Sequence, residues 1–209
     1  MEYSFHIYNK LAADGAAMAA DRLLRAHAQR KFNKTMGAGT SLNGVLANNK
    51  PPIVVCIGSD LAIGDSLGPI TGSMLKFKTQ SLNVFLYGTL ASPVTAKEIG
   101  HLRAFLKDAH KGSQIIAVDA AVGSEGDIGL IKLSDSPMFP GAGANKKLGS
   151  IGDISVMGVV AEKSLANYGL LNTTRLNLVY SMAEIISDGL AALLWERCSK
   201  ANGTTQKNA

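Results

Sequence analysis

Short apolar runs and longer amphipathic segments alternate along most of this chain. Residues 53–57 form a continuous apolar run rich in β-branched side chains, which is typical of a strand buried on both faces of a sheet. Further strands are predicted at residues 84–87, 114–119, 129–133 and 154–160, with 129–133 either a strand or a hairpin arm. Apolar side chains at helical spacing predict helices at residues 16–32, 68–78, 95–109, 162–171 and 172–198, the last capped by Asn172 or Thr173.

This alternation of strands and helices predicts the fold class. We expect an α/β fold with three layers, α/β/α, in which helices cover both faces of a mostly parallel sheet. In such a fold the site lies at the carboxyl ends of the strands. The loop after the first apolar strand carries Asp60 and Asp65, and Asp119 ends the strand at residues 114–119, so these acids should meet at one edge of the sheet.

Changes in composition divide the chain into three predicted parts. Residues 1–50 combine the first helix with a flexible linker at residues 33–50, which are rich in Gly, Asn, Ser and Thr. Residues 51–199 carry the alternating pattern and form the compact α/β domain. Residues 200–209 form a disordered tail.

Composition and charge exclude several classes of protein. The 209 residues are 46% hydrophobic and 18% charged, as in an ordinary globular α/β protein, and the net charge is +5. No basic stripe is interleaved with aromatic residues, so we expect no nucleic-acid partner. The N-terminus lacks the order of a signal peptide, and we expect no apolar stretch to cross a bilayer, so we expect a cytoplasmic protein. The two cysteines, Cys56 and Cys198, do not predict a disulfide framework.

Asp65 and Asp119 are the predicted catalytic pair. An aspartate at the end of a buried strand is partly desolvated, which penalises its charged form, and two neighbouring carboxylates cannot both ionise easily. The ionised acid can then take a proton from water while the protonated acid donates to a peptide carbonyl, as in a carboxylate-dyad peptidase. The alternative is structural: Asp65 caps the following helix, Asp119 caps a turn, and Asp60 stabilises the bend at Gly58 and Ser59.

The segment PGAGANKKLGSIGD, residues 140–153, is the second unusual stretch. Its glycines let a substrate backbone approach closely, so we expect Gly141 and Gly143 to contact the substrate and Lys146 to supply a positive charge. Ser59 and Asp60 complete the predicted substrate-binding set. The alternative is a flexible crossover. The segment is not a P-loop, because its lysines do not follow a glycine or precede a Ser or Thr in the required order.

Other chemistries lack their sequence signatures. The spacing of a dinucleotide fingerprint fails at Asp60, and no serine stands in a G-x-S-x-G elbow. Cys56 lies inside a buried strand, which favours a core thiol over a nucleophile. No cysteine or histidine pair has zinc spacing, so we expect neither a metal nor a cofactor.

Three segments, CIGSDLAIGDSLGP, AVDAAVG and PGAGANKKLGSIGDISVMGVV, together resemble the YyaC family of sporulation proteins. That family is related to the germination protease of spore-forming bacteria and, more distantly, to the hydrogenase maturation endopeptidases. The likeness covers about residues 51–197. It implies a phosphorylase/hydrolase-like α/β/α fold, and the essential aspartates of the germination protease fall on Asp65 and Asp119.

The resemblance implies a spore protease of the aspartic type, acting in sporulation or germination on a peptide or small protein. It also implies a location in the forespore or spore core, and a homo-oligomer is left open. In the hydrogenase maturation peptidases the same two acids bind nickel together with a later histidine. No histidine follows His110 in this chain, so the nickel-dependent function is disfavoured. The alternative function is a catalytically inactive sporulation factor that binds a peptide or protein on the same scaffold.

Overall fold

A computed structural model describes residues 1–36, 51–140, 149–163 and 174–205 of the chain. The strands within these ranges are β1 (Glu2–His6), β2 (Ile53–Cys56), β3 (Leu86–Tyr87), β4 (Ile115–Gly123), β5 (Leu130–Ser134) and β6 (Ile154–Glu162). The α-helices are α1 (Ala12–Met36), α2 (Leu67–Lys78), α3 (Ile99–Ala109) and α4 (Leu176–Thr205). Of the helix predicted at residues 162–171, only residues 162 and 163 are described. The predicted caps of the last helix, Asn172 and Thr173, lie outside the described residues.

The strands form one six-stranded sheet in the order β1-β5-β6-β4-β2-β3. β4 lies parallel to both β2 and β6, and β2 lies parallel to β3. β5 is antiparallel to its two neighbours, β1 and β6. Every described strand except β5 therefore runs in the same direction, which confirms the predicted α/β class and its mostly parallel sheet.

Helices cover both faces of this sheet. The alternation of side chains along β2 sends Val54 and Cys56 into one apolar cluster, which α1, α2 and α4 complete. Its other residues, Ile53 and Val55, enter a smaller cluster closed by Ile99 and Leu106 of α3. The arrangement is the three-layer α/β/α architecture that the sequence predicts.

The first 36 residues belong to this folded unit, whereas the sequence analysis began the compact domain at residue 51. β1 extends the sheet as an edge strand beside β5. α1 packs on α4 and buries Leu23 and Leu24 completely. Arg197 of α4, only 7% exposed, donates two hydrogen bonds to Asp21 of α1, at 3.0 and 2.7 Å. A buried guanidinium needs such a carboxylate partner, so this pair fixes α1 against the domain.

The long helix α4 extends to Thr205, into the segment that the sequence analysis assigned to a disordered tail. By length and composition alone, its residues Leu176–Ala201 could span a membrane, contrary to the expectation that no stretch is apolar enough. However, 56% of the apolar window is buried inside the protein. α4 packs against α1 and α2, which is the environment of a core helix.

Candidate active site

The loop after β2 begins with a close backbone crossing. Gly58 has φ +140°, and its amide donates to the Val94 carbonyl at 3.0 Å. A Cβ atom at this position would lie 2.1 Å from the Asp65 carbonyl oxygen, so only glycine fits. The next amide, that of Ser59, donates to the same Asp65 carbonyl at 3.1 Å. These contacts hold the backbone of Asp65 against the end of β2.

Asp65 lies in a single 3₁₀ turn, Gly64–Ser66, immediately before α2. The sequence folds α2 tightly onto β2 because Gly68 has no side chain: a Cβ there would lie 1.9 Å from the Ile57 carbonyl oxygen. The N-cap residue of α2 is Ser66, and its hydroxyl bonds to the Ile63 carbonyl instead of capping the helix. The described contacts therefore give Asp65 no part in capping α2.

Asp119 lies within β4, whereas the sequence analysis expected the strand to end there. β4 continues to Gly123 because β6 pairs with it beyond that point. Its other neighbour, β2, ends earlier: Cys56 pairs with Val118. Asp119 thus stands one residue beyond the last pair between β2 and β4. Its Oδ1 accepts a hydrogen bond from the Ala120 amide at 2.8 Å, a contact within the strand and not a turn cap.

The electrostatics of the two acids are linked. Burial raises the pKa of Asp119 well above its ordinary value, and the negative charge of Asp65 raises it further, while the Ala120 amide opposes both effects. Burial also raises the pKa of Asp65, opposed by the Ser59 amide. A charged Asp65 opposes a second negative charge on Asp119, so Asp119 holds its proton more tightly while Asp65 is ionised.

The remaining predicted site residues lie in different places. Ser59 is half-buried, and its hydroxyl accepts a hydrogen bond from the Leu61 amide at 3.2 Å, which shapes the loop. Asp60 is exposed at the loop surface. Gly141, Gly143 and Lys146 fall outside the described residues. The assignment of these five residues to substrate binding remains a prediction.

The loop after β3 also reaches this edge, a feature that the sequence analysis did not single out. Val94 pairs with Ile57, directly before Gly58. Leu90 is 45% exposed and is tied to α2 by a bond from its amide to Ser73 Oγ, 2.9 Å long. On the β2 loop, Leu61 is 91% exposed. In the sequence, Leu61 and Leu90 stand in turns that contain Gly or Ser. An apolar residue in such a turn is the signal that could have predicted their exposure.

The donor set at this edge does not favour a metal. Across residues 1–36, 51–140, 149–163 and 174–205, no three His, Cys, Asp or Glu side chains converge as metal ligands would. Asp65 and Asp119 alone would offer two carboxylates, which hold nickel weakly compared with a site that includes imidazole. The thiol of Cys56 is fully buried in β2, and burial raises its pKa, so it is not poised as a nucleophile.

Three comparisons relate the chain to known proteins. The family described as "Protein of unknown function (DUF1256)" matches residues 25–189, so the match begins within α1 and not at residue 51. The Bacillus subtilis (strain 168) protein named "Uncharacterized protein YyaC" is 41% identical over 145 residues, 69% of this chain and 70% of that protein. The NiFe hydrogenase maturation protease HycI from Thermococcus kodakarensis KOD1 is 19% identical, with a TM-score of 0.32, over 68% of this chain and 99% of that structure.

Proposed function

This chain belongs to the DUF1256 family and is similar to YyaC of Bacillus subtilis, and we propose that it is a peptidase of the aspartic type. Asp65 and Asp119 activate water for hydrolysis of a peptide bond. The substrate is a peptide or small protein, and the setting is the cytoplasm of a sporulating cell or the spore core, as the sequence resemblance implies.

The observation that carries this proposal is that the 3₁₀ turn with Asp65 packs against β4, the strand that contains Asp119. The charge of Asp65 and burial together raise the pKa of Asp119. This direction supports the proposal that the two acids, which lie far apart in the sequence, compete for one proton. Pairs of carboxyls with pKa values pushed apart by their surroundings are the arrangement that general acid–base hydrolysis requires.

The role of each acid in hydrolysis depends on which of the two keeps its proton. Asp65, ionised first, accepts a proton from water as the water oxygen attacks the carbonyl carbon of the peptide. Asp119 donates its proton to the carbonyl oxygen, giving a neutral tetrahedral diol. The diol then returns a proton to Asp119, Asp65 protonates the amide nitrogen, and the C–N bond breaks. Both carboxyls end in their starting protonation states, and one water is consumed.

Substitution of each acid by asparagine tests this proposal. Asp65→Asn and Asp119→Asn keep the shape of the side chain but remove the proton-transfer group, so each should lower peptide hydrolysis by about a thousandfold or more. Cleavage of a peptide library by the full chain is followed by mass spectrometry. Asp14→Asn, an exposed substitution on α1 outside the predicted site, is the matched control and should retain activity.

The same experiment distinguishes a peptidase from the alternative, a protein that binds peptides without cleaving them. Unchanged cleavage in both the Asp65 and the Asp119 variants would overturn the proposed mechanism. Capture of peptides without cleavage by the unmodified chain, with the same capture by both variants, would instead support a peptide-binding protein without catalysis.

A further inference from the structure

A second concave site lies at the opposite edge of the sheet from the acid pair. A cavity of about 530 Å³ opens between α3, the end of α1 and the turns that lead into β4 and β6. Ile115, at the start of β4, lies in its lining, whereas Asp119 stands four residues further along the same strand. At about 3.3 Å per residue the two sites are separated by roughly 13 Å along β4. The volume is in the range of small-molecule sites.

The lining of this cavity is strongly basic. Arg103 and Lys107 stand one turn apart on α3, and Lys111 follows just after the helix ends. Lys31 of α1 contributes a fourth cation from the other side. Side chains four positions apart on a helix share one face, at about 6 Å spacing, so the positive charges form a row. The cavity therefore gathers four of the chain's basic residues around one space.

None of these cations forms a direct ion pair in the described part of the chain, although the charge of Lys31 acts on Asp153 from a longer distance. The ion pairs that the structure describes involve other cations, and none joins Lys31, Arg103, Lys107 or Lys111 to a carboxylate. The Arg103 guanidinium lies against Gly149, where an added Cβ would come within 2.3 Å of its Nη1. The absence of a side chain at Gly149 thus makes room for the charged group.

The one acid in the lining, Asp153, is already engaged. Its Oδ1 lies 3.0 Å from His27 Nε2, and its Oδ2 accepts a hydrogen bond from the Ile115 amide at 2.8 Å. Burial acts to raise the pKa of Asp153, but His27, the Ile115 amide and the charge of Lys31 outweigh it and lower the pKa. Asp153 is therefore a structural anion, and it does not neutralise the row of cations on α3.

We propose that this cavity binds a small organic polyphosphate, the chemical class of nucleoside di- and triphosphates. Consecutive phosphates match a row of cations spaced along a helix, and the planar guanidinium of Arg103 suits a bidentate bond to phosphate. A single carboxylate or orthophosphate would leave most of the positive charge unbalanced. Ala104, which is exposed, and Ile115, which is half-buried, supply apolar surface in the lining for the organic part of the ligand.

Isothermal titration calorimetry on the full chain tests this proposal, with ATP and inorganic tripolyphosphate as probes and orthophosphate and citrate as comparators. ATP and tripolyphosphate should bind, and binding should weaken as ionic strength rises. If ATP binds more tightly than tripolyphosphate, the organic part of the ligand contributes to binding. If the two bind with equal affinity, the protein recognises the phosphate chain alone. The double variant Arg103→Ala, Lys107→Ala should weaken binding by about tenfold or more.

The matched control is Lys10→Ala, Lys76→Ala, which removes the same charge from exposed positions outside the cavity. It should keep the affinity within about twofold, because distant surface charges are screened. Thermal melting of both double variants verifies that they are folded. The proposal is overturned if neither polyphosphate binds, if citrate or orthophosphate binds as tightly, or if the two double variants lose affinity equally.

Discussion

At the scale of single residues, the protein holds Asp119 where a negative charge is costly. The carboxyl is half-buried, faces the charge of Asp65, and receives one amide hydrogen bond. That placement costs folding free energy whenever the group ionises. Groups kept in such unfavourable states concentrate at functional sites, which is the reason for assigning the chemistry to this pair.

The free-energy cost of ionising Asp119 in the folded protein predicts how the stability of an Asp119→Asn variant depends on pH. Because folding raises the pKa of Asp119, the unfolded chain ionises first as pH rises, and the folded state loses relative stability until the folded group ionises too. Below an unfolded pKa of about 3.9 the effect vanishes. The variant should therefore be more stable than the unmodified chain at neutral pH, by about 1.4 kcal/mol for each unit that folding raises the pKa.

Urea unfolding at a series of pH values measures this difference. The gap in unfolding free energy should shrink as pH falls through the folded and then the unfolded pKa of Asp119. Asp60→Asn, an exposed substitution on the adjacent loop, should show no comparable gap. A gap that is the same at every pH, or a variant that is less stable at neutral pH, would contradict the placement of Asp119.

At the scale of elements, the position of Asp65 depends on how closely α2 lies on β2. Gly68 brings the first turn of the helix against the Ile57 carbonyl, and the turn before it carries the acid. Sequence reasoning predicted the strand and the helix from their apolar patterns and from Gly68-Pro69 at the helix start. It could not predict the backbone contact, since a close approach across the chain leaves no periodic signal.

Substitution Gly68→Ala should disturb both stability and the site. Its Cβ would meet a backbone carbonyl, which cannot rotate away, so α2 must shift; we expect a loss of about 2 kcal/mol or more in unfolding free energy. Chemical denaturation measures the loss, and peptide hydrolysis by the folded variant should fall because Asp65 moves with the helix.

Gly100→Ala is the matched control for this test. Gly100 lies in α3, and nothing lies within 4 Å of its added Cβ. Alanine should leave stability unchanged or raise it by up to about 1 kcal/mol, because it is the better helix former. If both alanine variants behave alike, the tight seating of α2 is not what positions Asp65.

At the scale of the whole molecule, the sheet separates two chemically different edges. Asp65 follows the carboxyl end of β2 and Asp119 lies in the middle of β4, whereas the start of β4 borders the basic cavity. The order of strands and helices after residue 51 was predictable because each buried strand is a short apolar run and each helix has an apolar face. The prediction that Asp65 and Asp119 meet at one edge comes from the carboxyl-end rule for parallel sheets.

The first 36 residues were harder to place from the sequence. β1 carries a period-two pattern, with Tyr3 and Phe5 packed toward the core, but five residues at an edge give a weak signal. α1 is rich in alanine, so its buried face differs little in polarity from its exposed face. The length of β4 beyond Asp119 was likewise unpredictable, because only its pairing with β6 sustains it.

The proposed function requires that Asp65 and Asp119 compete for a proton, and an NMR titration of their side-chain carboxyl carbons tests this most directly. In the unmodified chain, the pKa of Asp119 should lie well above its ordinary value. In an Asp65→Asn variant it should fall, because the repelling charge is gone while burial remains. An Asp119 pKa that is ordinary in the unmodified chain, or that does not move when Asp65 is replaced, would contradict the claim.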